Sequence, residues 1–144
     1  MTKPAAHRIE VTQDVAACRA LRRVVFIEEQ GVSEADEVDG LDDTAIHLLA
    51  FAGDTPTGTA RLLLKGNVGK VGRVCVLREA RGTGLGAALM RAAVAEFRAM
   101  PGVKTVKLGA QSHATGFYAA LGFRVVGDEF IDAGIPHREM VLDL

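Results

Sequence analysis

Polar and apolar residues alternate at the start of the chain, His7-Arg-Ile-Glu-Val11, which predicts a short strand. The period then lengthens. Val15, Cys18, Leu21 and Val25, with Val24 and Phe26 beside them, form a stripe at helical spacing up to about Gln30. Thr12 stands where the N-cap belongs, Asp14 suits the first turn, and Gly31 stops the helix. Six of the ten residues 34–43 are acidic, around Gly40, and predict an exposed short helix or loop with a solvated face. Residues 46–52 and 57–64 are β-type apolar runs joined by Gly53-Asp54-Thr55-Pro56, an antiparallel hairpin. Gly66-Asn67 turns the chain into a third strand over residues 70–77. Leu85, Leu89, Ala93, Phe97 and Met100, with Met90 beside them, then make one helical face, with Arg91 and Arg98 on the other and Pro101-Gly102 as the stop. Residues 103–108 read as a strand, 112–121 as a short helix ended at Gly122, 123–126 as a strand and 139–144 as the last strand. The order is β, α, three strands, then β/α alternation. It predicts an α+β fold (α/β/α), one sheet with helices on both faces, in a single domain over residues 1–144.

Composition narrows the function. The chain has 144 residues, 49% hydrophobic and 24% charged, enough for a buried core and too apolar for disorder. Seventeen basic against eighteen acidic residues, no Trp and one Tyr argue against a nucleic-acid partner, which needs basic grooves and stacking platforms. The opening residues lack an apolar signal core, and no apolar run approaches the roughly 20 residues of a membrane span. The expectation is a soluble, cytoplasmic protein without a membrane partner. Cys18 and Cys75 sit inside apolar patterns, away from metal-ligand spacing, and read as buried thiols of a reducing compartment; no metal site is expected. An EF-hand loop around Gly40 is excluded, because that alignment puts Ala35 and Ile46 at ligand positions.

Arg81-Gly82-Thr83-Gly84-Leu85-Gly86 lies between a strand and a helix, where backbone N–H groups and the positive helix end converge on one spot. Such a nest suits a phosphate or pyrophosphate, and Arg81 adds a full charge. A Walker loop fails, since Gly66-Asn-Val-Gly69-Lys70 has the wrong spacing and Val71 replaces the magnesium-binding hydroxyl. A dinucleotide fingerprint is matched nominally by Gly82, Gly84 and Ala87, but the next strand ends Leu108-Gly109-Ala110 without an acid for a ribose hydroxyl. A turn without function remains an alternative for the loop taken alone.

Arg81-x-x-Gly84-x-Gly86, preceded by Gly72-Arg-Val-Cys-Val76, resembles the acetyl-CoA-binding motif of the Gcn5-related N-acetyltransferases. Gln111-x-x-Ala114-x-x-Phe117-Tyr118-x-x-x-Gly122-Phe123 resembles that family's downstream segment, with Gln111 in place of the usual Asn. Leu21-Arg-Arg-Val-Val-Phe26-Ile-Glu-Glu29-Gln30, His47-Leu-Leu-Ala50 and Gly134-Ile-Pro-His137 are similar to its small ElaA/YjcF-like branch. The resemblance implies a mixed, mostly antiparallel sheet splayed between two parallel strands, here residues 73–77 and 103–108. It implies acetyl-CoA as cosubstrate, with Val74, Cys75 and Val76 along the pantetheine arm, Arg81, Gly82, Thr83, Gly84, Leu85 and Gly86 around the pyrophosphate, and Gln111 bonding the arm. It implies Tyr118 as general acid to the departing thiolate, and an amine of a small molecule or peptide as acceptor.

The residues leave several roles open. Strand alternation points Cys75 away from Val74 and Val76, so it reads as a packing residue rather than an acetyl carrier. A general base could come from Glu28, Glu29, His47 or His137, or from water. His47 reads more readily as a hydrogen-bonded structural histidine. Arg73, Arg78, Arg81 and Arg91 are expected around the glycine loop, offsetting the acidic block and giving a near-neutral chain of net charge −1 a basic site. A non-catalytic acyl-CoA sensor is the alternative function, and a homodimer is left open.

Overall fold

The structure is a computed structural model that describes residues 7–144. All seven predicted runs become strands: β1 (His7–Thr12), β2 (Ile46–Ala52), β3 (Thr55–Lys65), β4 (Val68–Val76), β5 (Thr105–Gln111), β6 (Arg124–Asp132) and β7 (Ile135–Asp143). They form one sheet in the order β1-β2-β3-β4-β5-β7-β6. Every neighbouring pair is antiparallel except β4 and β5, which the helix α3 (Leu85–Arg98) connects as a parallel pair. The sheet is therefore of the expected mixed kind. It is covered on both faces.

Alternation along the strands sorts the core. Leu48, Ala50, Ala60, Leu62, Val71, Val106 and Leu108 pack under Leu85, Leu89, Met90, Ala93 and Phe97 of α3. Leu49 and Cys75 face the other way, against Cys18 and Leu21 of α1 (Val15–Arg22) and Val25 beyond it. Tyr118, on the short α4 (Thr115–Ala119), joins the α3 side together with Phe123 and Met140.

Local differences from the sequence reading have physical causes. The N-cap of α1 is Asp14, which accepts from the Ala17 N–H at 3.1 Å, while Thr12 Oγ1 accepts from Asp14 itself. The helix does not run as α-helix to Gln30; Arg23–Glu29 is π-helical, a wider winding that leaves Val24 exposed outside the stripe and carries Phe26 toward the sheet's cleft. The last hairpin is longer than its apolar core suggested. A two-residue turn, Ala133-Gly134, both at positive φ, extends β6 and β7, and Pro136 is tolerated because it lies past the end of β5. The residues 112–121 form a single 3-10 turn followed by α4, not one continuous helix.

The position of the site depends on one irregularity. Cys75 faces Thr59 and Gly72 faces Arg61 across β3, so Arg73 and Val74 together oppose Ala60 in a β-bulge. Arg73 takes φ 50°, left-handed backbone that costs a non-glycine residue about 1–3 kcal/mol. The bulge lies on the stretch of β4 just beyond Lys70, where its parallel pairing with β5 has ended.

Candidate active site

Parallel pairing of β4 with β5 covers only Val68↔Thr105, Gly69↔Val106 and Lys70↔Lys107. Beyond Lys70 the two strands part, β4 staying with β3 and β5 with β7, and the edge of β4 that faces β5 has no strand to bond. A cavity of about 520 Å³ opens there, between Gly72, Arg73 and Val74 on one side and Leu108, Gly109 and Gln111 on the other. Tyr118 lines it from α4, Phe26 from the π-helical segment and Gln30 just after it, Asp36 and Asp39 from the acidic segment, and Phe130, Asp132 and His137 from the last hairpin.

The glycine loop sits at the start of α3. Gly82 and Gly84 hold φ 76° and 83°, conformations that a Cβ would strain, and Gly84 as N-cap brings no side chain to the first turn. The first helical bond runs from the Ala88 N–H to the Gly84 carbonyl, so the N–H groups before it point outward at the positive end of a 14-residue helix. Thr83 Oγ1 bonds the Ala80 carbonyl and closes the turn. Gly86 lies under Phe117, whose Cζ would be 3.5 Å from an added Cβ, which ties the loop to α4 and hence to Tyr118. Arg81 is tethered at the same place: its Nε donates to the Val76 carbonyl at 3.0 Å and a terminal nitrogen to Glu29 at 2.7 Å.

The structure sorts the remaining candidates. Tyr118 meets Phe117 edge-on with ring centroids 4.9 Å apart, Phe123 likewise at 6.3 Å, and burial alone pushes its phenol up from the usual range. Gln111 closes β5 opposite His137, and its amide donates to Gln30 Oε1 at 2.9 Å. Of the four base candidates only His137 lines the cavity. Its Nδ1 lies 2.7 Å from the Ile135 carbonyl, which requires that nitrogen to carry the proton and leaves the lone pair of the neutral ring on Nε2. His47 is buried, with Nε2 2.9 Å from the Asp42 carbonyl, the structural position expected of it. Glu29 is engaged with Arg81.

Val74 and Val76 pack toward α3 while Cys75 is buried toward α1, as alternation required. Burial pushes the Cys75 thiol up to about 12 despite nearby Arg22, and raises Cys18 as well. Neither is a thiolate at neutral pH. Titration of the folded protein with a disulfide reagent at pH 8 should therefore leave both thiols unreacted on the time scale of an exposed cysteine, with both reacting once the chain is unfolded; rapid reaction of Cys75 in the folded state would reopen a nucleophilic role.

The acidic segment is in part the expected exposed short helix and loop, with Glu34, Asp36, Asp39 and Asp43 exposed; the departure is at Glu37 and Asp42, which are buried. Arg22, 1% exposed, donates Nε to Glu37 at 2.6 Å and its two terminal nitrogens to Asp42 at 2.9 and 2.7 Å. Arg61 forks onto Asp39 at 2.8 and 2.7 Å. Arg73 also belongs here rather than to the glycine loop, donating to the Asp36 and Glu37 carbonyls and to Asp39. The charge cancellation is thus made locally, inside an ion network. Two arginines set in apolar runs, Arg22 between Leu21 and Val25 and Arg61 between Ala60 and Leu62, were the signal for it.

The comparisons agree with this architecture. A family model described as an acetyltransferase (GNAT) domain matches residues 10–144. The uncharacterized N-acetyltransferase YjcF of Bacillus subtilis is 38% identical over 124 residues, covering 85% of this chain and 88% of YjcF. Escherichia coli ElaA superposes with a TM-score of 0.83 at 28% identity, covering 95% of this chain and 99% of ElaA. An acyl-CoA N-acyltransferase from Pseudomonas aeruginosa superposes with a TM-score of 0.83 at 31% identity, covering 95% and 98% of the two chains. Among the described residues no helix is long and apolar enough to cross a membrane. With its parted parallel strands and glycine loop, the chain belongs to the Gcn5-related N-acetyltransferase family, in the branch of ElaA and YjcF.

Proposed function

We propose that this protein moves the acetyl group of acetyl-CoA to a primary amine of a small molecule or peptide, by direct attack with donor and acceptor bound together. The observation that carries the reading is the cleft between β4 and β5, which has the open strand edge at residues 72–74 on one side and Tyr118 reaching in from α4; Cys75, Val76 and the glycine loop follow along the same chain toward the start of α3, outside the cavity's lining. The open edge at Val74, Cys75 and Val76 offers main-chain hydrogen bonds to an extended, amide-bearing arm, and Gln111 offers its side-chain amide opposite. The N–H groups of Gly82, Thr83, Gly84, Leu85 and Gly86, with Arg81, suit a pyrophosphate. When bound, acetyl-CoA supplies an activated acyl carbon and a thiolate leaving group.

The chain's own residues then have three tasks. An alkylamine is mostly protonated at neutral pH, with a pKa near 10.4, and must lose a proton before it attacks; His137 Nε2, at the cleft's end opposite Gln111, is placed to take it. A backbone N–H of the bulged stretch of β4 stabilises negative charge on the carbonyl oxygen. Tyr118 gives its phenol proton to the sulfur as the carbon–sulfur bond breaks. No nucleophilic side chain is needed.

Calorimetry with acetyl-CoA, together with a thiol-release screen against alkylamines, amino acids, polyamines and peptides, tests the reading. Binding with turnover of at least one amine supports it. No binding at millimolar acetyl-CoA overturns it, and tight binding with no acceptor in any class would make the protein an acyl-CoA sensor. Arg81→Ala should weaken acetyl-CoA binding about tenfold, the lower end for a charge-assisted contact because Glu29 competes for the same guanidinium. A normal donor Kd in that variant would remove Arg81 from the pyrophosphate site.

A further inference from the structure

Arg73 stands at an unusual junction. It occupies the bulge on the open edge of β4, just past the point where β4 and β5 part, at φ 50°, directly after Gly72 and before Val74. A glycine would satisfy that backbone without strain, so the arginine there calls for a reason in its side chain. The side chain crosses to the acidic segment. One terminal nitrogen donates to the Asp36 carbonyl at 3.2 Å, the Glu37 carbonyl at 3.1 Å and Asp39 Oδ2 at 3.3 Å, and Nε lies 3.8 Å from Glu37 Oε1. Asp36 and Glu37 end α2 (Glu34–Glu37), so the guanidinium caps the negative end of that turn while pairing with the carboxylate that follows it. Asp36 and Asp39 line the same cavity as Val74, from the side opposite the glycine loop's helix. Arg61 also holds Asp39 and Arg22 holds Glu37, but neither bonds the carbonyls at the end of α2.

We propose that Arg73 is a positioning residue that ties the acceptor-side wall, residues 36–39, to the donor-binding bulge of β4, so that the two sides of the reaction cleft are set by one side chain. The proposal rests on the functional reading above in assigning the β4 edge to the donor. Its physical content is a coupling. Donor contacts that fix the bulge also fix the wall, and by linkage a group seated against the wall favours donor binding.

Hydrogen exchange reads this directly, because the amides of Asp36, Glu37 and Val38 bond to the Ser33 and Glu34 carbonyls and report the order of the wall. The comparison is wild type, Arg73→Gly and Arg73→Lys, each alone and with saturating acetyl-CoA. Glycine keeps the bulge's backbone conformation and removes only the tether; lysine restores one charged donor. In Arg73→Gly these three amides should exchange at least tenfold faster than in wild type, with the β2 amides of residues 48–50 unchanged and the acetyl-CoA Kd by calorimetry within about threefold. Acetyl-CoA should slow their exchange in wild type and in Arg73→Lys but not in Arg73→Gly. Unchanged exchange at 36–38 in Arg73→Gly overturns the proposal, as does a uniform rise that includes β2, which would mark general destabilisation. A loss of donor affinity beyond tenfold in Arg73→Gly overturns it too, since Arg73 would then belong to the donor site itself. Wild type that fails to bind acetyl-CoA overturns the functional reading, and with it the coupling, whatever the ligand-free exchange shows.

Discussion

Tyr118→Phe should lower kcat by about 10–100-fold while leaving acetyl-CoA affinity within about threefold. The magnitude follows from what the hydroxyl can do. Burial raises the phenol above its ordinary value of about 10, whereas a departing alkyl thiol has a pKa nearer 8.5, so a complete proton transfer before carbon–sulfur cleavage would run uphill. The proton is instead shared with sulfur as negative charge develops there. A hydrogen bond to a charged group contributes about 1.5–3 kcal/mol, which corresponds to about 10–150-fold in rate when it is made only in the transition state. Phenylalanine keeps the ring that meets Phe117 and Phe123 edge-on, so the variant should fold with a Tm within a few degrees of wild type. The pH profile sharpens the assignment. The raised phenol stays protonated through neutral and mildly alkaline pH, so the wild-type rate should climb as the amine deprotonates and show no loss of the acid below about pH 9. Single-turnover kinetics of the two proteins at several pH values make the check. An unchanged kcat in Tyr118→Phe would mean that the thiolate departs unassisted.

How far the sequence reaches is clear at particular residues. The turns Gly53-Asp54 and Gly66-Asn67, with alternating runs between them, gave the β2-β3-β4 meander nearly to the residue, because hairpin register is local. The face of α3 was legible for the same reason: Leu85, Leu89, Ala93 and Phe97 recur at helical spacing and all are buried. The parting of β4 and β5 was not legible from pattern. It is followed by a bulge where Arg73 adopts positive φ without being a glycine, and such strain is sustained by tertiary contacts with a segment 34–37 residues earlier in the chain. The site shows the same division. The glycine loop announces itself by local chemistry and Tyr118 only through the family resemblance, whereas the placement of His137, and not His47, along the cavity depends on the hairpin that brings Phe130, Asp132 and His137 to the end of β5. The acidic block was legible in part: Glu34, Asp36, Asp39 and Asp43 are exposed, as like charges in sequence usually are, while Glu37 and Asp42 turn inward onto the buried Arg22 and Arg61, which no local pattern announces.

Asp42→Ala should be the most destabilising substitution at a polar position, by about 3–5 kcal/mol, out of the 5–15 kcal/mol that hold a domain of this size folded. Asp42 accepts both terminal nitrogens of Arg22 and a further bond from Arg61, all buried, and one from the half-exposed Arg19. Removing it leaves the Arg22 guanidinium, 1% exposed, with Glu37 as its single carboxylate, and a buried charge that loses its main partner cannot shed its proton to escape. Converting Arg22, Glu37 and Asp42 together to apolar residues should recover part of the loss, because the attraction between buried charges mainly offsets their desolvation; urea melts of Asp42→Ala and of the triple variant make the comparison. Acid supplies an independent reading. Hydrogen bonds from Arg61 hold Asp39 at about 2, and those from Arg22 hold Asp42 well below the usual carboxylate range. Both folded values are depressed, so their stabilisation is complete above the unfolded value near 3.9 and is lost as pH falls through the folded ones. Wild type should therefore lose stability steeply between about pH 4 and 2, and Asp42→Asn should start lower and fall less steeply over the same interval. The consequence reaches the active site, since Asp36, Asp39 and Leu41 line the cleft only while Arg22, Arg61 and Arg73 hold their segment to α1 and the sheet. At a temperature where Asp42→Asn remains folded, acetyl-CoA should still bind at the glycine loop while turnover of an amine falls. A variant with wild-type stability at both pH 7 and pH 3 would show that the ion network is ornamental and that the apolar packing beneath α1 holds the wall by itself.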